Sequence, residues 1–174
     1  MKNLPDFVDR IWDASERSFQ RLVMLMLEDG TMCRVNGWAP CIKVVAELKI
    51  PGAILDLVAY HADGSVSVLE LKAGGLGLRD YMTGVGQLIH AQIQFGFVAA
   101  RTSTDREVRF CLVVPSAVDV AVGDACLYAG IEYMPVGTID EYNVAEHQAK
   151  IRALAKLEME RRRIERDGPQ INIF

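Results

Sequence analysis

Apolar residues recur at helical spacing near the start of the chain: Leu4, Val8, Ile11, Trp12, Phe19, Leu22, Val23 and Met26, with Ser15 in the same series. The pattern predicts an amphipathic helix over residues 5–28. Pro5 suits its first turn, and Asp29-Gly30 stops it. Glu16 falls at the edge of the apolar stripe rather than on the outer face. Three strand-like runs follow, at residues 41–50 (CIKVVAELKI), 53–61 (AILDLVAYH) and 65–73 (SVSVLELKA). Pro51-Gly52 breaks the first from the second, and Ala62-Asp63-Gly64 between the last two is a hairpin signal. Gly74 to Gly77 reads as a flexible joint.

Residues 78–97 then read as a helix, with Leu78, Met82, Val85, Ile89 and Gln92 along one side and Gln87, His90, Ala91 and Gln94 along another. Residues 107–114 (EVRFCLVV) form an apolar strand stopped by Pro115. A helix is expected at 117–129, ending at Gly130, and a short strand at 131–136. A last helix spans 143–166 and has a basic end, Arg161-Arg162-Arg163 and Arg166, before Asp167-Gly168-Pro169 stops it. A three-strand meander followed by a helical crossover predicts an α/β fold, with a mixed central sheet flanked by helices on both faces. Residues 1–166 read as one domain that includes the helix 143–166, and residues 167–174 as a tail.

The composition agrees with this picture. Of 174 residues, 51% are apolar and 24% charged, enough side chain for a core without disulfides. The net charge of −4 counts mildly against a nucleic-acid partner, although local patches decide binding more than the sum does. Cys33, Cys41, Cys111 and Cys126 form no CxxC pair, and the start has no signal-peptide pattern, so they read as reduced thiols in a cytoplasmic protein. A zinc site from Cys33, Cys41 and a histidine has the wrong ligand spacing. No apolar run approaches the roughly 20 residues of a membrane helix. Gly74-Gly75-Leu76-Gly77 lacks the Gly-Lys-Ser/Thr of a phosphate loop.

The segment from Asp56 to Lys72 carries the chemistry. Apolar strands exclude charge, so Asp56, Glu70 and Lys72 inside two of them require a reason. Period 2 places Glu70 and Lys72 on one face. A two-residue loop at Asp63-Gly64 would put Asp56 on the other face. A three-residue loop ending in Gly64 pairs residue 61 with 65 and brings Asp56 opposite Glu70. Two carboxylates that close repel each other unless a cation lies between them, and Mg²⁺ prefers such oxygen ligands. Taken alone, Glu70-Leu71-Lys72 also describes a structural ion pair at a sheet edge.

Asp56, then Glu70-Leu71-Lys72 on the next strand, then a helix, resembles the PD-(D/E)xK (restriction-endonuclease-like) nuclease superfamily. The α-β-β-β-α-β core of that family matches residues 5–114 in order. The resemblance implies a nuclease that hydrolyses DNA phosphodiester bonds with Mg²⁺, for which Mn²⁺ substitutes. Asp56, Glu70 and the backbone carbonyl of Leu71 would hold the metal, and Lys72 would be the catalytic lysine. Glu16 matches a first-helix glutamate that joins the metal site in many members. Gln87 matches a glutamine found on the helix after the ExK strand, and His90 and Gln94 share its face toward phosphate or sugar. The namesake proline is absent, since Leu55 precedes Asp56. Restriction-type and resolvase-type members usually work as dimers, which leaves room for a homodimer, but no dimer face stands out. The rival reading is a non-cleaving nucleic-acid or protein-binding module of the same fold.

The tail, Gln170-Ile171-Asn172-Ile173-Phe174, resembles the peptide with which bacterial replication proteins bind the sliding clamp. Gln170, Ile171, Ile173 and Phe174 occupy its four key positions, and apolar side chains so placed anchor in a preformed pocket. The alternative is an apolar tail packed on its own domain. The basic stretch Arg161 to Arg166 fits a solvated helix end whose charge suits the helix dipole.

Overall fold

The computed structural model describes residues 16–74, 76–102, 106–116 and 118–138. The chain divides into the units Met1–Tyr142 and Asn143–Phe174, and the described residues all belong to the first. Residues 5–15 of the expected first helix, the helix 143–166 and the tail 167–174 lie outside the described residues.

Helix α1 (Glu16–Glu28) buries Phe19, Leu22, Val23, Met26 and Leu27, a single stripe at helical spacing. Gly30, at φ 78°, ends it and starts a short helix, α2 (Thr31–Asn36), which the apolar pattern does not announce. Asp29 Oδ1 accepts the Thr31 N–H at 2.8 Å, and Gly37, at φ 66°, closes the helix. A helix of six residues has too few apolar positions to show a period.

Strands β1 (Cys41–Ile50), β2 (Ala53–His61), β3 (Val66–Leu71), β4 (Val108–Val114) and β5 (Glu132–Pro135) form one sheet in the order β1-β2-β3-β4-β5. The first three are antiparallel neighbours, while β4 and β5 add in parallel. The sheet is therefore mixed, as expected from a meander followed by a crossover. The β2–β3 turn is the three-residue Ala62-Asp63-Gly64. Gly64 sits at φ 85°, its N–H donates to His61 O at 3.0 Å, and His61 N–H donates to Ser65 O at 3.0 Å. Asp63 Oδ1 braces the turn by accepting from the Ser65 N–H (2.9 Å) and hydroxyl (2.7 Å). This turn sets the register from Tyr60↔Val66 to Leu57↔Leu69.

Helix α3 (Leu78–Thr102) runs past the expected end at 97. Its buried face is Tyr81, Val85, Leu88 and Ala91, packed with Val66, Val68, Leu112 and Val114 in one core cluster. Leu78, Met82 and Ile89, which share a side with Val85 by spacing, are exposed. No charged residue occurs between Asp80 and Arg101. Apolar positions ring the helix, so periodicity alone does not select the face that meets the sheet. Helix α4 (Val120–Tyr128) is capped by Asp119, whose Oδ1 accepts the Ala121 N–H at 2.9 Å, and a 3₁₀ turn (Val136–Thr138) follows β5. The four cysteines are free thiols. Among the described residues, no helix is long and apolar enough to cross a membrane.

Candidate active site

The β2–β3 ladder stops at Leu57↔Leu69, and the next residues in line are Asp56 and Glu70. In an antiparallel ladder, hydrogen-bonded pairs recur every second residue. The series 61/65, 59/67, 57/69 would continue with Leu71 donating to Leu55. Instead the Leu71 N–H donates to Asp56 Oδ2 at 2.8 Å. A carboxylate thus takes the place of a strand carbonyl, and the Asp56 side chain is fixed at the point where pairing ends. The strict alternation of β2 also breaks here, since Leu55 and Val58, three apart, enter the same core cluster. Across β1, Glu47 lies between the pairs Ala46↔Leu57 and Leu48↔Leu55 and has φ 53°. A left-handed residue in mid-strand is strained unless it is glycine. This left-handed residue of β1 therefore falls opposite Asp56.

Glu70 is 2% exposed, and Lys72 Nζ donates to its Oε1 at 2.8 Å. The same ammonium donates to Gln87 Oε1 of α3 at 3.1 Å. An ammonium has three donors, so one is left for a substrate. Burial and then the nearby Asp56 charge push the Glu70 carboxyl up to about 7, against the opposing pull of Lys72. Asp56 is also raised, first by burial, with the Leu71 N–H and the Lys72 charge opposing. Without a cation, Glu70 therefore tends to keep its proton near neutral pH.

Beside Asp56 opens a cleft of about 450 Å³ lined by Glu16, Arg17, Gln20, Glu47, Asp56 and Leu71. Glu16 thus stands on the same cleft as Asp56, and its charge reaches both Asp56 and Glu70. Gln20, one turn further along α1, donates its amide to the Asp56 carbonyl at 3.0 Å. Sequence reasoning missed Arg17, Gln20 and Glu47. The signals were present for two of them: Gln20 is four residues from Glu16, and Glu47 is a charge within an apolar strand.

The structure brings together Asp56, Glu70, Leu71, Lys72 and Gln87, with Glu16 at the rim. His90 goes elsewhere, its Nε2 lying 2.8 Å from Pro51 O at the β1–β2 turn. Gln94, half-buried, lies one turn further along α3. Gln170, Ile171, Ile173 and Phe174 lie outside the described residues.

The donor set suits a hard divalent cation. A carboxylate that raises its neighbour's proton affinity, as Asp56 does for Glu70, is relieved by a metal, and Mg²⁺ is commonly held by one or two carboxylates with water and phosphate completing its shell. Among the described residues, no three His, Cys, Asp or Glu side chains form a complete cage. The Leu71 carbonyl, water and substrate would have to supply the remaining ligands.

No family model matches the sequence, and no curated protein matches it. Among solved structures, the chain is similar to a repair endonuclease from Pyrococcus abyssi, at 23% identity and a TM-score of 0.42, over 63% of this chain and 45% of that one. It is also similar to an EndoMS–dsDNA2 complex, at 22% identity and a TM-score of 0.42, over 63% of this chain and 43% of that one. EndoMS in its apo form gives 22% identity and a TM-score of 0.43, over 67% of this chain and 44% of that one. The chain spans less than half the length of the proteins it matches in these structures.

Proposed function

We propose that this chain is a divalent-metal-dependent deoxyribonuclease of the restriction-endonuclease-like type. The observation that carries the reading is the half-buried Asp56 next in line to the buried Glu70, with the Lys72 ammonium 2.8 Å from Glu70. A structural ion pair accounts for Glu70 and Lys72 but not for the second carboxylate beside them, whose presence makes the cluster more costly to bury.

Asp56 and Glu70 would hold Mg²⁺, or Mn²⁺ in its place, with the Leu71 carbonyl as a further ligand and Glu16 at the edge of the cleft. When bound, such a metal polarises a scissile phosphate and lowers the pKa of a water. The Asp56 carboxylate is aligned by the Leu71 N–H and its backbone by Gln20, so neither has to reorganise when substrate arrives. Lys72, steered by Gln87, directs its remaining N–H toward the attacking water or a phosphate oxygen. The water oxygen forms a bond to phosphorus, one ester P–O bond breaks, and the departing oxygen leaves with a proton as the hydroxyl of the new end.

The test is a cleavage assay on supercoiled, linear, single-stranded and branched DNA, in Mg²⁺ and in Mn²⁺. The wild type is expected to cut at least one of these. Lys72→Ala and Glu70→Ala are each expected to lower the rate by about 10²-fold or more. If no DNA is cut, or if either variant cuts at the wild-type rate, the nuclease reading fails and a non-cleaving binding module takes its place.

A further inference from the structure

Helix α3 meets the end of β3 at three successive points on one face. The Tyr81 hydroxyl donates to the Ala73 carbonyl at 3.0 Å, and the Gln87 side-chain oxygen accepts from Lys72 Nζ at 3.1 Å. Between them lies Gly84, which is buried. A Cβ built on Gly84 would stand 2.8 Å from Lys72 Cε, 3.3 Å from Lys72 Cγ and 3.0 Å from Leu112 Cδ1. Real Cβ atoms do not approach carbon that closely, so any side chain at 84 displaces the lysine stem. Glycine is a poor choice inside a helix unless something requires the space. Gly86, two residues on, has nothing within 4 Å of the corresponding position and is exposed, so the crowding belongs to Gly84 alone of the pair.

We infer that Gly84 is a positioning residue for Lys72: its missing side chain is the slot through which the lysine stem crosses α3 to bring Nζ between Glu70 and Gln87. The inference rests on the nuclease reading for its catalytic consequence, but not for its geometry. The stem is flexible, so a methyl group at 84 pushes it aside at small cost to folding. The ammonium then moves off the line joining Glu70 Oε1 and Gln87 Oε1.

The experiment compares Gly84→Ala with Gly86→Ala in the full chain. Both gain the same helix-forming residue, so effects of helix propensity cancel between them. A displacement on the order of 1 Å at a reacting group costs up to about 10²-fold. Gly84→Ala is therefore expected to lower kcat for DNA cleavage by about 10- to 100-fold with KM within about twofold of wild type. Gly86→Ala is expected to match the wild type. The second measurement is a thermal double-mutant cycle of Gly84→Ala with Lys72→Ala. With the lysine stem removed, Gly84→Ala is expected to be better tolerated than in the wild type, giving a positive coupling in Tm. Wild-type kcat in Gly84→Ala, or a change in Tm that is the same with and without Lys72, overturns the inference. A wild-type chain that cuts no DNA sinks the nuclease reading instead, and the thermal cycle still decides whether Gly84 makes room for Lys72.

Discussion

Glu70 is 2% exposed, and its carboxyl is pushed up to about 7 from an ordinary value of 4.5 by burial first and Asp56 second. Between these two values the folded chain keeps a proton that the unfolded chain has lost. The metal-free protein is accordingly most stable below the lower value, loses stability as pH rises through the window, and levels off above about 7. Asp56, raised as well, acts in the same direction. The Glu70 contribution is on the order of 3 kcal/mol. Glu70→Gln is therefore expected to be more stable than the wild type at pH 8, with the advantage shrinking toward pH 5, as read from thermal melts in EDTA. On the proposed function, the same proton would compete with metal. Mg²⁺ affinity is expected to fall by up to about tenfold for each pH unit below 7. Calorimetry that finds one affinity from pH 6 to pH 8 would count against Glu70 as a ligand. Glu47 makes a different prediction, since a non-glycine residue at φ 53° is strained. Glu47→Gly should raise stability by on the order of 1 kcal/mol, whereas Glu47→Val, with a branched Cβ in the same conformation, should lower it. Denaturant titration of both variants checks the pair.

At the scale of elements, the exit from β3 matters most, because Lys72 lies just beyond its last paired residue. Lys72 N–H still donates to Val113 O at 3.1 Å, and Tyr81 of α3 holds the next carbonyl, that of Ala73. Tyr81→Phe removes that hydroxyl and leaves the ring in the core. The expected cost is about 1 kcal/mol in stability, together with a drop in kcat as the lysine's backbone loosens, measured by melts and by cleavage rates side by side. The elements differed in how legible they were. β1 and β2 begin and end where Pro51-Gly52 and the apolar runs place them, and the glycine of the Ala62-Asp63-Gly64 turn is in the left-handed conformation that a three-residue loop requires. The face of α3 was not legible, because its uncharged middle offers apolar residues in several directions and only the sheet chooses among them. Helix α2 was too short to signal itself.

For the whole molecule, the proposed function makes charge set the conditions of DNA binding. The chain carries a net charge of −4, and among the described residues Glu16, Glu47 and Asp56 line the cleft beside one arginine, Arg17. A polyanion approaching that cleft is repelled unless divalent cations neutralise it. DNA binding, followed by fluorescence anisotropy, is expected to be at least about tenfold weaker in EDTA than in Ca²⁺ or Mg²⁺, and to weaken further with added monovalent salt. Equal affinity with and without divalent cations would point to a basic surface away from this cleft.

The local pattern was enough for the five strands, the helices around Phe19, Val85 and Val122 and the mixed sheet, though not for α2, and it put Asp56 and Glu70 in adjoining strands with Lys72 just after the second. These features follow from local patterns: period 2 in strands, period 3.6 in helices, and the conformational demands of Gly52 and Gly64 in turns. It also made Asp56 opposite Glu70 a matter of one loop length, which could be read from the glycine. Where those patterns stop, the packing of helices on the sheet takes over. The β2–β3 ladder ends one residue before Asp56, the Asp56 carboxylate takes the Leu71 N–H, and Glu47 of β1 is left-handed at the same level. Gln20, Gln87 and Gly84 reach this point from two helices 64 residues apart between Gln20 and Gly84. No local period encodes such meetings, because they depend on how far each helix slides and turns when its apolar face packs against the sheet.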